Sequence, residues 1–152
     1  MRTTNMYSVI STCQQTIIGS ITQWEVDEYD WLRQNVGQAD TAPYQQRYKY
    51  FWGMNVAQLS SSFYTAYFGF LKAPTTLSRN DLCQTLHQSS TRRNGTRTLQ
   101  FSFATKLLHT LNPQLPIYDS KVARFFLFEP PSSYRPARTN YQTERIPKLS
   151  GN

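Results

Sequence analysis

An all-α, single-domain helical bundle is the fold this sequence predicts, on three observations. Apolar residues recur at steps of three and four through nearly every segment, the spacing that lines one face of an α-helix. Two-residue alternation is weak everywhere, and the Asn-Gly pair is not flanked by alternating apolar runs, so no hairpin is predicted. The chain has 152 residues, 39% hydrophobic and 14% aromatic, which suits one domain with a real core.

The elements follow in order. Met6, Val9, Ile10, Cys13, Ile17 and Ile21 make the apolar stripe of a first helix, which Gly19 weakens near its end. In "EVDEYDWLRQNVG" acids fill the first turn, Arg33 the last, and Gly37 lies just beyond, a consistent start and stop. Pro43 suits a first helical position and opens "APYQQRYKYFWGMNVAQL", predicted as one helix with Tyr44, Tyr48, Phe51 and Trp52 inward. Ser60 caps the aromatic "SSFYTAYFGFL", which belongs near the centre.

"SRND" at Ser78–Asp81 resembles a capping box ahead of Leu82, Cys83 and Leu86. The polar "SSTRRNGTRT" interrupts the helices with a turn that carries Arg92, Arg93 and Arg97. A helix through Phe103, Leu107 and Leu111 follows and stops at Pro113. Asp119 then opens a last helix, with Val122, Phe125 and Phe126 facing in. Beyond Glu129 the proline-rich, polar texture predicts an extended tail, dividing the chain into a helical domain at 1–129 and a tail at 130–152. A protein partner is the occupant such a tail suits.

Charged residues make up only 16%, yet the formal net charge is +7 and the pI about 9.6. This balance favours a polyanionic partner, DNA foremost, although an anionic membrane surface would meet it too. The longest apolar run, "FYTAYFGFL", is too short to span a bilayer, and no signal-peptide pattern is present. Two cysteines give no disulfide framework, so a reducing, cytoplasmic setting is expected. Cys13, Cys83, His87 and His109 are the only soft ligands; their scatter favours core packing over zinc, and no metal is expected.

The stretch "ATKLLHTLNPQLPIYDSKVARFF" resembles the helix-hairpin-helix DNA glycosylase superfamily, in its 8-oxoguanine branch. Pro116, Ile117, Asp119, Ser120, Val122 and Arg124 match that family's loop-to-helix pattern, and Lys106 falls where the branch carries its catalytic lysine. The order of helix, polar turn, helix, loop, aspartate and helix matches as well. No Gly-x-Gly hairpin occurs, and "RRNGTR" stands in its place. The resemblance implies a reduced glycosylase fold that needs no cofactor and excises a damaged base, such as 8-oxoguanine, with or without strand cleavage. It implies Lys106 as nucleophile, Asp119 as carboxylate, and Arg92, Arg93, Arg97, Lys121 and Arg124 on DNA.

The chemistry is coherent by itself. A desolvated lysine amine can attack an anomeric carbon, and a carboxylate can stabilise the positive charge that develops on the sugar. Tyr48 and Trp52 are candidates to stack on an extruded base, with Arg47 and Lys49 on phosphates. At helical spacing the same aromatics also read as core. Asp119 reads equally as a helix cap, and Lys106 as a solvated lysine. Two rival functions remain: a non-catalytic nucleic-acid-binding module, and a helical protein-interaction domain.

Overall fold

The computed structural model describes residues 6–74, 79–89 and 92–119. These form α1 (Met6–Gly19), α2 (Gln23–Gln34), α3 (Ala42–Phe51), α4 (Ser61–Lys72), α5 (Arg79–Ser89) and α6 (Phe101–Leu111). Short 3-10 turns occupy Val36–Gln38 and Met54–Val56. The described residues contain no strand, only an isolated antiparallel bridge between Leu59 and Arg92. The all-α class is therefore the class observed. Ser78 of the expected capping box, the helix beyond Asp119 with Lys121 and Arg124, and the tail at 130–152 lie outside the described residues.

Local chemistry sets the helix starts. Thr22 caps α2: its hydroxyl accepts from the Glu25 amide at 3.2 Å, while Glu25 Oε2 accepts from the Thr22 amide at 2.8 Å. These bonds hold the Glu25 carboxyl below its ordinary range. Ser60 caps α4 by accepting from the Phe63 amide at 3.2 Å. Pro43 sits in the first turn of α3, where its missing N–H costs no helical bond.

Three boundaries or faces differ from the expectation. The helix predicted through Leu59 ends at Phe51, because Gly53 takes a left-handed φ of 66° that stops helical propagation. Of the stripe expected on the first helix, Cys13 is exposed, and Ile21 is 52% exposed and lies beyond the end of α1 at Gly19; the side chains of Met6, Val9, Ile10 and Ile17 lie outside those described. On α6 the buried face is Phe101, Ala104, Thr105, Leu107 and Thr110. Phe103 and Leu111 border that face and are only half-buried. The face rotates because α6 packs against α2, α4 and α5 together.

The centre of the bundle is aromatic and hydroxylic. Tyr44 stacks on Tyr48 at 5.9 Å and donates to the Leu32 carbonyl at 3.0 Å, which joins α3 to α2. Tyr48, at 0% exposure, meets Tyr67 Oη at 3.0 Å and Thr110 Oγ1 at 3.1 Å. Tyr67 donates onward to the Phe103 carbonyl at 2.9 Å, and Thr110 to the Lys106 carbonyl at 2.9 Å. Every hydroxyl of this set thus has a partner, which a buried polar group requires. Burial pushes the Tyr44, Tyr48 and Tyr67 phenols above the ordinary range, so they stay protonated donors.

Two substitutions should separate packing from hydrogen bonding in this core. Leu107→Ala, at a fully buried α6 position, is expected to cost about 3 kcal/mol from lost contacts and a residual cavity. Tyr67→Phe keeps the ring and removes its bonds to Tyr48 and the Phe103 carbonyl, an expected loss of about 1 kcal/mol. Urea denaturation of each variant checks both values. A Tyr67→Phe loss as large as that of Leu107→Ala would mean that the hydroxyl network outweighs side-chain packing.

Candidate functional site

The C-terminal half of α6 and the loop after it bring the sequence-predicted residues Lys106 and Asp119 together. Thr105 fixes the loop. Its Oγ1 accepts from the Tyr118 amide at 3.0 Å and lies 3.1 Å from the Tyr118 carbonyl, so it grips the backbone next to Asp119. Lys106, the next residue on α6, is close enough to Asp119 for the carboxylate to act on its ammonium. The same carboxylate acts on the Tyr118 phenol, which burial has already raised.

The Lys106 amine sits in apolar company. Its Nζ lies 5.3 Å from the Phe103 ring centroid and 5.7 Å from that of Trp52. It approaches the Trp52 carbonyl at 3.5 Å, the long limit of a hydrogen bond. Ring faces and a helix-terminal carbonyl favour the cation. Desolvation opposes it and is the larger influence: burial holds the Lys106 amine below the ordinary lysine value, with Asp119 pulling it partly back. A half-buried amine that parts with its proton more readily than a surface lysine is what imine chemistry requires.

Through Trp52 this amine adjoins a larger aromatic cluster. Tyr29 of α2 stacks on Phe51 at 6.2 Å and on His109 at 5.7 Å, and meets Trp52 edge-on at 6.3 Å. Trp52 Nε1 and Tyr118 Oη are buried and have no hydrogen-bond partner among the described residues. Such atoms are uncommon and call for a reason. At the outer edge Trp24 and Tyr50 pack edge to face at 6.0 Å, while remaining 51% and 69% exposed.

Tyr48 and Trp52 part company here. Tyr48 is wholly buried and hydrogen-bonded, so it offers no ring face to a base and leaves the predicted pocket. Trp52 is half-buried beside Lys106. Arg47 also leaves the phosphate set: its guanidinium forms a two-pronged pair with Glu28 and lies 3.6 Å from the Trp31 ring centroid.

The Arg92, Arg93 and Arg97 side chains are exposed on a tight turn. The turn is built by Gly95 at φ 82°, with its amide donating to the Arg92 carbonyl at 2.8 Å. Asn94 Oδ1 accepts from the Thr96 amide at 3.1 Å and hydroxyl at 2.8 Å. The Arg93 amide donates to the Gln58 carbonyl at 3.1 Å, fastening the turn to the segment after α3. Gln58 itself has a left-handed φ of 50°. Arg93 and Lys49 both border Tyr64, so positive charge extends from the turn onto α3.

The zinc alternative has no geometry behind it. Cys83 is buried, with its thiol pushed up to about 12 by desolvation, and Cys13 is exposed on α1. Among the described residues no three His, Cys, Asp or Glu side chains gather as a metal site. Among them also no helix is long and apolar enough to cross a membrane. Tyr29 and His109 were not singled out by sequence as parts of this site, because their partnership spans 80 positions. The only local signal was that His109 follows Lys106 by three residues and so shares its helix face.

Comparison with known proteins adds no relative: no protein-family model, curated protein or solved structure matches the chain.

The lowered Lys106 pKa has a consequence for stability. The unfolded chain binds more protons at this group than the folded one, so its contribution to stability rises with pH. At neutral pH the buried cation is a net cost. That cost is lifted as the pH climbs through the lowered folded value towards the ordinary 10.5. Lys106→Met is therefore expected to stabilise most near neutral pH, with a gain that shrinks as the ordinary lysine value is approached. Urea denaturation across that range tests it; a gain independent of pH would mean that the amine is solvated.

Proposed function

We propose that this protein binds DNA and excises a damaged base, with Lys106 as the nucleophile and Asp119 as the carboxylate beside it. One observation carries the reading: a half-buried amine, eased towards its neutral form by desolvation, lies within electrostatic reach of a carboxylate. The loop resemblance around Asp119 supplies the substrate class, a nucleotide with an oxidised purine such as 8-oxoguanine.

In this chemistry the neutral Lys106 Nζ forms a bond to the sugar C1′. The electron pair of the glycosidic bond leaves with the base, which takes up a proton. Positive charge grows on the sugar as that bond breaks, and the Asp119 carboxylate stabilises it through a partly desolvated medium. Loss of the amine proton and opening of the sugar ring then give an imine. Trp52, half-buried and with its Nε1 unpartnered among the described residues, would stack on or hydrogen-bond an extruded base. Arg92, Arg93 and Arg97 supply phosphate contacts from their exposed turn, consistent with the net charge of +7.

A second reading is favoured by the contacts of Lys106 with two rings and the Trp52 carbonyl. On that reading the amine is a packed cation, and the protein binds nucleic acid without cutting it.

Borohydride trapping separates the two. Wild-type protein is expected to form a stable adduct with duplex DNA that carries 8-oxoguanine, and Lys106→Ala to form none. Lys72 is engaged by Asp40 at 3.0 Å, so Lys72→Ala should trap like wild type. Asp119→Asn should bind equally well but trap far more slowly. Binding with no trapping would establish the second reading. In both cases affinity should fall with salt, and Arg92→Ala with Arg93→Ala should flatten that dependence. An unchanged slope would remove the turn from the interface.

A further inference from the structure

His109 occupies a place in the bundle that the proposed chemistry does not use. Its Nδ1 lies 2.6 Å from the Leu115 carbonyl, and its Nε2 lies 2.7 Å from Tyr29 Oη. A carbonyl only accepts, so Nδ1 carries the hydrogen in this arrangement. The neutral ring then accepts at Nε2 from the Tyr29 hydroxyl. The ring is also stacked on Tyr29 at 5.7 Å, so both its edge and its face are engaged by α2.

The segment that His109 grips is the one that delivers Asp119. After α6 ends at Leu111, Asn112 organises a turn: its Oδ1 accepts from the Gln114 amide at 3.1 Å, and its carbonyl from the Leu115 amide at 3.0 Å. From Leu115 the chain runs four residues to Asp119 and is gripped again at Tyr118, by Thr105. Two side chains of α6 thus hold the loop that carries the carboxylate, His109 at Leu115 and Thr105 at Tyr118. Lys106 stands between those two anchors on the same helix. Tyr29 extends the first anchor to α2, so the loop is referenced to the body of the bundle and not to α6 alone.

We infer that His109 is a positioning residue: by holding the Leu115 carbonyl, with Tyr29 holding its other nitrogen, it keeps Asp119 beside Lys106. The inference deepens the reading of Lys106 and Asp119 given above and rests on it for its catalytic meaning. The coupling itself is a matter of structure and can be measured without any reaction. The charged and titratable groups around the ring are Tyr29, with Asp30 and Arg33 acting on it, and Lys106 one turn earlier on α6.

The test follows the Lys106 amine by NMR titration after ¹³C reductive methylation, which keeps the charge. Asp119 raises the amine's proton affinity, so freeing the loop should lower the Lys106 midpoint. His109→Leu is expected to lower it by on the order of one pH unit, the effect of losing a neighbouring opposite charge. Asp119→Asn should lower it alike, and the double variant should fall no further than Asp119→Asn alone. His109→Asn, whose amide can replace the Nδ1 donor, should stay close to wild type.

Every other pattern overturns the inference. An unchanged midpoint in His109→Leu would mean that the loop holds its place without the ring. A raised midpoint would mean that His109 acts as a charge of its own, or that the fold has opened and freed the lysine. A further drop in the double variant would mean that His109 reaches Lys106 by another route. Borohydride trapping on the same proteins keeps the two questions apart. If wild type fails to trap while the midpoints behave as described, the positioning role stands and the glycosylase reading falls.

Discussion

The meeting of three buried hydroxyls, from Tyr48, Tyr67 and Thr110, is the constraint on which the site depends. Each comes from a different helix, and their bonds end on the Phe103 and Lys106 carbonyls of α6. Apolar packing alone would let α6 slide or rotate against α3 and α4 at small cost, because dispersion contacts are individually weak and non-directional. Hydrogen bonds inside a low-dielectric core are directional, and a buried hydroxyl left unpaired would cost about 1–3 kcal/mol. The rotation of α6, set by its packing against α2, α4 and α5, is thus pinned further by polar groups in an otherwise aromatic interior. That rotation decides which α6 side chains face the Trp52 and Tyr29 cluster, and Lys106 is one of them.

A second consequence follows for electrostatics. The Lys106 amine is desolvated by aromatic rings that cannot replace the hydration of an ammonium, and its oxygen contact is long. Asp119 partly compensates, and it arrives on a loop that Thr105 and His109 of α6 both grip. The protonation of the amine is thus tied to backbone geometry some distance along the chain. A surface lysine next to a surface aspartate would show no such dependence, since solvent screens an exposed pair.

Much of this was legible in the sequence, and the failures have particular causes. The Ser60 cap, Pro43 in the first turn of α3 and the Tyr44–Tyr48 face could be read because each is a local rule. The loop with Asp119, and Lys106 before it, drew notice through a resemblance, and the structure adds that the carboxylate acts on the amine. The early end of α3 was also written in the chain, at Gly53, but the long apolar pattern on both sides concealed it. Helical spacing placed Tyr48 on an inward aromatic face without saying whether that face meets the core or a ligand, and its burial answers for the core. Tyr29 and His109 were hidden more deeply. Neither has a neighbour in sequence that predicts its partner, and only the packing of α2 against α6 brings their rings together.

The distribution of charge gives the proposed DNA surface a direction. Four of the acids, Glu25, Asp27, Glu28 and Asp30, fall within α2, and Arg47 is bound to one of them. A phosphate approaching over α2 would meet repulsion, despite the exposed Trp24 and Tyr50 at its edge. The segment from Trp52 to Leu59 is bordered differently. Arg93 and Lys49 flank Tyr64, whose hydroxyl donates to the Met54 carbonyl at 2.9 Å, and the Lys106 amine approaches the Trp52 carbonyl. Cations thus line both ends of one short stretch, and the arginine turn is fastened to it at Gln58. A strand gripped at the turn could follow that stretch towards Lys106 without crossing an acidic helix. On the proposed reading, the end of α3 before Gly53 then has a second effect besides ending a helix, since it creates the short segment of 3-10 turn and loop along which such a strand would lie.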